Sequence, residues 1–183
     1  VSQRPPESVA AIFEEHYPPG TPSREILWNH SRDVATLSVQ LGKAHGARLG
    51  FLEEAAWLHD IGIRYTHAPG ICCHGDQPYL CHGVIGREIC DRAGLPEHGM
   101  VCETHVGTGL TAAEVEASRY PMPVRDMLPE TLEEQIICYA DQFFSKSSSH
   151  RLDLDEVRRR VARHGPAPLE RFEALHARFG VSA

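Results

Sequence analysis

Residues 55–65 read AAWLHDIGIRY, a run of small and apolar side chains that ends on a histidine and an aspartate side by side, His59 and Asp60. The apolar spacing starts upstream at Phe51 and Leu52 and predicts a helix through GFLEEAAWLHDIG, closed by Gly62. Neighbouring side chains on a regular helix diverge by about 100°. At a helix end the backbone is irregular enough for two adjacent side chains to aim at one point. Taken alone, the pair also reads as two ordinary polar residues at a helix terminus, so the rest of the chain has to decide.

Outward from this stretch, almost every segment keeps helical spacing, and period-two alternation is nearly absent. Residues 6–17 predict a short first helix ended by YPPGTP. Thr21-Pro22 has the form of an N-cap followed by proline at the first helical position. The segment SREILWNHSRDVATLSVQLGKAHG then runs helically to Gly46, with Ile26, Leu27, Val34, Leu37 and Leu41 on one side. Residues 64–81 hold Pro, Gly, His and Asp without a clear period, and a loop of that length inside a domain is usually functional. Helical patterns resume at HGVIGREICDRAG and PEHGMVCETH. Thr111 to Glu114 and Thr131 to Glu134 both have the Thr-x-x-Glu form of a capping box, the second opening TLEEQIICYADQFFSKS. LDLDEVRRRVARHG and APLERFEALHARFG close the chain as two surface helices. No repeat, low-complexity tract or linker divides the sequence. The reading is an all-α, compact single-domain helical bundle over residues 1–183.

Composition narrows the function. The net charge is −7 and no basic stretch exceeds Arg158-Arg159-Arg160, so long nucleic acid is not an expected partner. No apolar run reaches the ~20 residues of a membrane span and the N-terminus lacks a signal-peptide pattern, so a cytoplasmic protein without membrane attachment is expected. A homodimer is compatible with the sequence. The six cysteines read as reduced, mostly buried thiols. Cys72, Cys73 and Cys81 lie near His74 and His82, but they lack the paired C-x2-C units of a structural zinc site.

The histidines carry more information. His30, His59, His82 and His105, with Asp60 and Asp141, each sit in or at the end of a different predicted helix, the adjacent pair apart. In a helical bundle, side chains on facing helices can converge on a metal. Imidazoles with carboxylates suit Mn, Fe, Co, Ni or Zn, whereas Mg favours more oxygen. A carboxylate between two metals can bridge them. Each residue also has an ordinary reading. His30 can be a hydrogen-bonded, half-buried histidine beside Trp28 or Val34, His82 a polar residue at a helix start, and Asp141 a cap or a partner of Lys146. An aspartate in so apolar a helix needs some partner, because an unpaired buried carboxylate is costly.

In this order, His30, then His59-Asp60 with Ile61-Gly62, then Asp141 resemble the H…HD…D signature of the HD superfamily of metal-dependent phosphohydrolases. His82 and His105 match the two further histidines of its binuclear members. The resemblance covers residues 24–150, with the helices of 151–183 packed on that core. CHGVIGREI, CETHVGTGL and EEQIICYADQFFSKS also resemble a group of HD hydrolases of undefined function. The resemblance implies two divalent transition-metal ions, one held by His30, His59, Asp60 and Asp141, the second by His82 and His105, with Asp60 bridging. It implies His59 and Asp60 at the catalytic centre and a metal-activated water attacking a small-molecule phosphate substrate, a nucleotide or another phosphate ester. Lys146, Arg64 and Arg125 are the candidate phosphate contacts, each with a solvated-surface reading beside it. His67 and His74 are candidate lid or outer hydrogen-bonding residues, Glu103 is expected to face elsewhere, and His16, His45, His98, His150, His164 and His176 are expected at the surface. Two rivals share the ligand set: HD-type di-iron oxygenases that cleave C–C or C–P bonds with O2, and a metal-bearing sensory module without turnover.

Overall fold

The short first helix α1 (Glu7–His16) and the long α2 (Pro22–His45) pack beside α3 (Leu49–Leu58) in an all-α architecture. The computed structural model describes residues 2–147 and 150–180. α4 (His82–Arg92), α5 (Pro96–Thr104), α6 (Ala112–Ser118), α7 (Leu132–Asp141), α8 (Leu154–Ala162) and α9 (Pro166–Phe179) follow. α2 packs on α3 and α7, α4 on α5, and α8 on α9, which also meets α7. Residues 181–183 of the expected C-terminal segment lie outside the described residues. No described helix is long and apolar enough to cross a membrane.

The core sits where α2, α3 and α7 face one another. Leu27, Val34, Leu52, Ala55, Ala56, Leu58, Ile136, Ile137 and Ala140 are buried there. Leu27 and Val34 are among the positions that helical spacing placed on one side of the 23–46 segment, and burying a Leu or Ile contributes roughly 1.5–3 kcal/mol. Trp57 anchors α3 to α1 and α2 through edge-on contacts with Phe13 and Trp28, at ring separations of 5.5 and 5.1 Å. α2 stops as expected at Gly46, whose φ of 72° is the left-handed conformation that glycine tolerates best.

Several local expectations change. Thr21 occupies the N-cap position, but its hydroxyl donates to the Pro18 carbonyl instead of accepting from the helix. The capping box forms fully at Thr111 and Glu114, whereas at Thr131 the Glu134 carboxylate turns to the Glu130 N–H and the Thr104 hydroxyl. The segment 64–81 is structured: 3-10 turns at 61–65 and 79–81 flank a two-stranded ribbon in which β1 (His67–Ala68) pairs with β2 (Cys73–His74), and a third at 69–71 joins the strands.

Gly62 does not end α3. The helix ends at Leu58, and Gly62 belongs to the following 3-10 turn. A Cβ at Gly62 would lie 2.1 Å from the His82 carbonyl oxygen and 2.6 Å from the Gly86 nitrogen. Its role is close approach: it lets the turn lie against the first residues of α4, where His82 stands.

Candidate metal centre

The end of α3 is held from outside. The Cys102 thiol donates to the Leu58 carbonyl, and the Tyr17 hydroxyl donates to the Asp60 carbonyl while accepting from the Arg64 N–H. His59 keeps helical dihedrals, but Asp60 moves to φ −102° and ψ 12°. That break turns both side chains inward, and His59 Nε2 lies 3.1 Å from Asp60 Oδ2.

Around this pair the structure gathers the other four residues. His30 comes from the middle of α2, His82 from the first position of α4, His105 from just beyond α5, and Asp141 from the last position of α7. His30 Nε2 lies 3.1 Å from Asp60 Oδ2 and 3.0 Å from Asp141 Oδ1, and 3.2 Å from His59 Nε2. On the other side, His82 Nε2 and His105 Nε2 lie 3.5 and 3.4 Å from Asp60 Oδ1 and 3.3 Å from each other. Two groups result, His30–His59–Asp60–Asp141 and Asp60–His82–His105, all buried, and each could hold a metal ion. Asp60 belongs to both through different oxygens.

The imidazoles are oriented for it. Nδ1 of His59, His82 and His105 lies 2.7, 2.7 and 2.8 Å from the carbonyls of Ala56, Tyr79 and Cys102. With Nδ1 bonded outward, Nε2 is the nitrogen of each ring that faces the centre, the orientation that ligating histidines have. Both oxygens of Asp60 and Asp141 Oδ1, which face the centre, are buried without a well-directed hydrogen bond, although imidazoles and the Lys146 ammonium stand at ion-pair distance from the carboxylates. Native interiors seldom leave such groups orphaned. Nitrogen and oxygen lone pairs converging on a point are satisfied by a cation, so the residues fit a divalent ion.

The electrostatics agree. Burial pushes the Asp60 and Asp141 carboxyls up, but His59 and Lys146 outweigh it at Asp60, and Lys146 and His30 at Asp141, so both stay well below the ordinary range. Burial likewise disfavours the His59 imidazolium, yet Asp60 and Asp141 lift it to about 10. At His82 burial prevails and brings it down to about 3. The site demands positive charge around its two carboxylates.

Lys146 supplies part of that charge. It lies beyond the end of α7 and reaches back over the centre, its Nζ 2.6 Å from Asp60 Oδ2. Burial disfavours its ammonium, but Asp60, Tyr79 and Asp141 hold it above the ordinary lysine range. A cleft of about 570 Å3 opens beside His30 and Lys146, bordered by Asn29, Arg32 and Asp33 of α2 and by Phe144 to Ser147.

The other two expected phosphate contacts make no ion pair with the Asp60 or Asp141 carboxylates. Arg125 is half-exposed and bonds Glu103, whose carboxylate also faces Arg87. Arg64 lies on the 61–65 turn, where its charge bears on the Cys73 thiol. His67 and His74 are exposed and pair with each other across the ribbon, and neither belongs to the two ligand groups. His98 is not at the surface: it is buried against Phe51, with Nε2 3.2 Å from Glu54. His16 and His176 are half-buried on Tyr65 and Tyr139. All six cysteines are free, and among the described residues no further metal group forms around Cys72, Cys73 and Cys81. Tyr17 and Tyr79, which position Asp60 and His82, carry no sequence signal, because nothing local marks a tyrosine whose hydroxyl or carbonyl serves a residue elsewhere.

Comparison with known proteins agrees with this geometry. The family model described as HD domain matches residues 27–145. A tRNA (cytidine(56)-2'-O)-methyltransferase of Thermoplasma volcanium is 32% identical over 134 residues, 73% of this chain and 35% of that protein. An uncharacterized protein of Methanocaldococcus jannaschii is 36% identical over 101 residues, 55% of this chain and 51% of that protein. A tRNA (cytidine(56)-2'-O)-methyltransferase of Picrophilus torridus is 26% identical over 122 residues, 66% of this chain and 32% of that protein. The chain thus spans about a third of the methyltransferases and about half of the Methanocaldococcus protein. No solved structure gives a significant match.

Proposed function

The chain belongs to the HD-domain family, and from that premise we propose that it is a metal-dependent phosphohydrolase acting on a nucleotide or another small phosphate ester. The observation that carries the reading is the placement of Asp60, with one oxygen facing His30 and His59 and the other facing His82 and His105. His30, His59, Asp60 and Asp141 would hold one divalent ion, and His82, His105 and Asp60 a second. Such ions, when bound, supply Lewis acidity and an activated water for attack at phosphorus.

The chain's own residues do the rest. His59, His82 and His105 are locked by their Nδ1 contacts, so the ligand geometry is set before substrate arrives. Lys146, which contacts Asp60 and borders the adjoining cleft, would bind a non-bridging phosphate oxygen, and the cleft would receive the organic part of the ester. A net charge of −7 disfavours a long nucleic-acid substrate. The methyl transfer named for two relatives is not carried over, since this chain matches only about a third of their length.

The test is a phosphatase and nucleotidase panel with added Mn, alongside metal analysis of protein purified without chelator. Phosphate release that disappears in Asp60→Asn is expected. A mixed-valent di-iron EPR signal with O2 consumption and no phosphate release would overturn the hydrolase in favour of an oxygenase. Metal content of about two ions per chain is expected for a binuclear centre, with about one lost in His82→Ala. A content of about one, unchanged by that substitution, would remove the second site.

A further inference from the structure

The Phe144 to Ser147 segment has a second pocket against it, of about 260 Å3, reached from the side of the 68–71 turn. Its polar lining is Tyr79, Ser145, Lys146, Ser147 and, from helix α8, Arg160, with the backbone of Gly70 completing one wall. Among the described residues no carboxylate lines it, unlike the larger cleft, which contains Asp33. At roughly 30 Å3 per water, the space suits a phosphate or carboxylate with a short linker.

Arg160 is unlike its neighbours. Arg158 is committed to Glu173, and Arg151 lies over the Phe143 ring. Among the described residues, Arg160 has no acidic partner within ion-pair distance. Its position is fixed nonetheless. Val157 and Val161 bury one face of α8, Arg160 stands one turn from Val157 at the edge of that face, and the Asp153–Glu156 capping box secures the helix start. The pocket adjoins the metal centre through two lining residues. Lys146 lines it and contacts Asp60, and Tyr79 lines it with its ring 4.8 Å from that of His82. Arg160 gives this pocket a guanidinium without an acidic partner among the described residues, beside a lysine already held by Asp60, and a guanidinium binds phosphate or carboxylate through paired donors.

We propose that this pocket is a second anion subsite, in which Arg160 binds a second phosphate or carboxylate of a substrate whose ester phosphate lies at the buried cluster. The inference rests on the phosphate-ester reading for which end of the ligand meets the metals. It narrows the substrate class to small phosphate esters bearing another anionic group. Arg160 lies outside residues 27–145, so the selectivity comes from a helix beyond the segment matched to the family.

Non-hydrolysable ligands separate the two claims. The full chain, loaded with Mn under argon, is titrated calorimetrically with propylphosphonate, 4-phosphonobutyrate and propane-1,3-bisphosphonate. Wild type should bind at least one of the two-anion ligands about tenfold or more tightly than propylphosphonate. Which one gains identifies carboxylate or phosphate as the second group. Arg160→Gln should abolish that gain and leave propylphosphonate binding unchanged, Arg160→Lys should restore part of it, and Arg159→Gln, of equal net charge, should preserve it. Equal binding of all three ligands by wild type, or a gain that survives in Arg160→Gln, overturns the subsite and leaves the phosphate reading intact. Failure of propylphosphonate itself to bind sinks the phosphate reading and the subsite with it.

Discussion

Lys146→Met should behave oppositely in the metal-free and metal-loaded protein. The Lys146 ammonium lies 2.6 Å from Asp60 Oδ2, and its charge also bears on Asp141. At that distance and an effective dielectric of about 20, the attraction is about 6 kcal/mol before the desolvation of both ions is subtracted. Methionine keeps the length of the side chain and removes the charge, leaving two buried carboxylates with less compensation. Breaking a buried pair by removing one partner costs about 3–5 kcal/mol. For a chain of this size that lowers Tm by about 10 °C. In metal-loaded protein the ions supply the missing charge, and the substitution should cost little. The difference between the two states is then a gain in metal affinity, about a hundredfold for about 3 kcal/mol. The assay is thermal unfolding of wild type and variant with chelator and with saturating Mn, together with calorimetric metal titration. A metal-free variant as stable as wild type would refute the reasoning, as would an equal loss of Tm in both states, because either outcome means that Lys146 does not act as the counter-charge of the cluster.

The remaining predictions concern other parts of the site and core. Gly62→Ala places a Cβ 2.1 Å from the His82 carbonyl oxygen, a backbone atom that cannot swing aside; unfolding should show a loss of about 3 kcal/mol, and metal analysis should show depletion of the His82–His105 site first. Asp60→Asn keeps the shape but removes the charge common to both ligand groups, so metal content should fall from about two to below about one per chain with an unchanged circular dichroism spectrum. At His98, burial holds the imidazolium down against the pull of Glu54, so the folded value lies below the unfolded one. Its contribution to stability is therefore present above the unfolded value of about 6.5 and is lost as pH falls below it. Denaturant midpoints measured across that range should fall less steeply in His98→Gln, and identical slopes would count against the assignment.

What could be read from the sequence, and what could not, follows the range of the interaction responsible. The helices were legible because apolar spacing is local, and so was the stop at Gly46, where glycine acts on its own backbone, whereas the helix read through TLEEQIICYADQFFSKS ends earlier, at Asp141. The six cluster residues were legible as a set because coordination demands particular residue types, and these stand at helix ends or on one helix face. Gly62 was misread for the opposite reason. A glycine after a helical run looks like a stop, but the atom it makes room for is the carbonyl of His82, twenty residues on. Arg125 looked free because Glu103 is far along the chain, and His98 looked exposed because Glu54 and Phe51 belong to another helix.

The same distinction explains why His59 and Asp60 can serve one centre. Their direction is not set by their own stretch of sequence. Tyr17, from before α2, donates to the Asp60 carbonyl and accepts from Arg64, and Cys102, from α5, satisfies the carbonyl of Leu58. These contacts fix the point at which α3 gives way to the 61–65 turn, with Asp60 in a non-helical conformation and its two oxygens facing the two ligand groups. A helix continued through Asp60 would rotate its carboxylate about 100° from His59 and separate the two ligand groups. The adjacent pair is thus the residue content of the site, while distant residues supply its geometry. Disruption at Tyr17 should accordingly impair metal binding even though no atom of that side chain belongs to the ligand set.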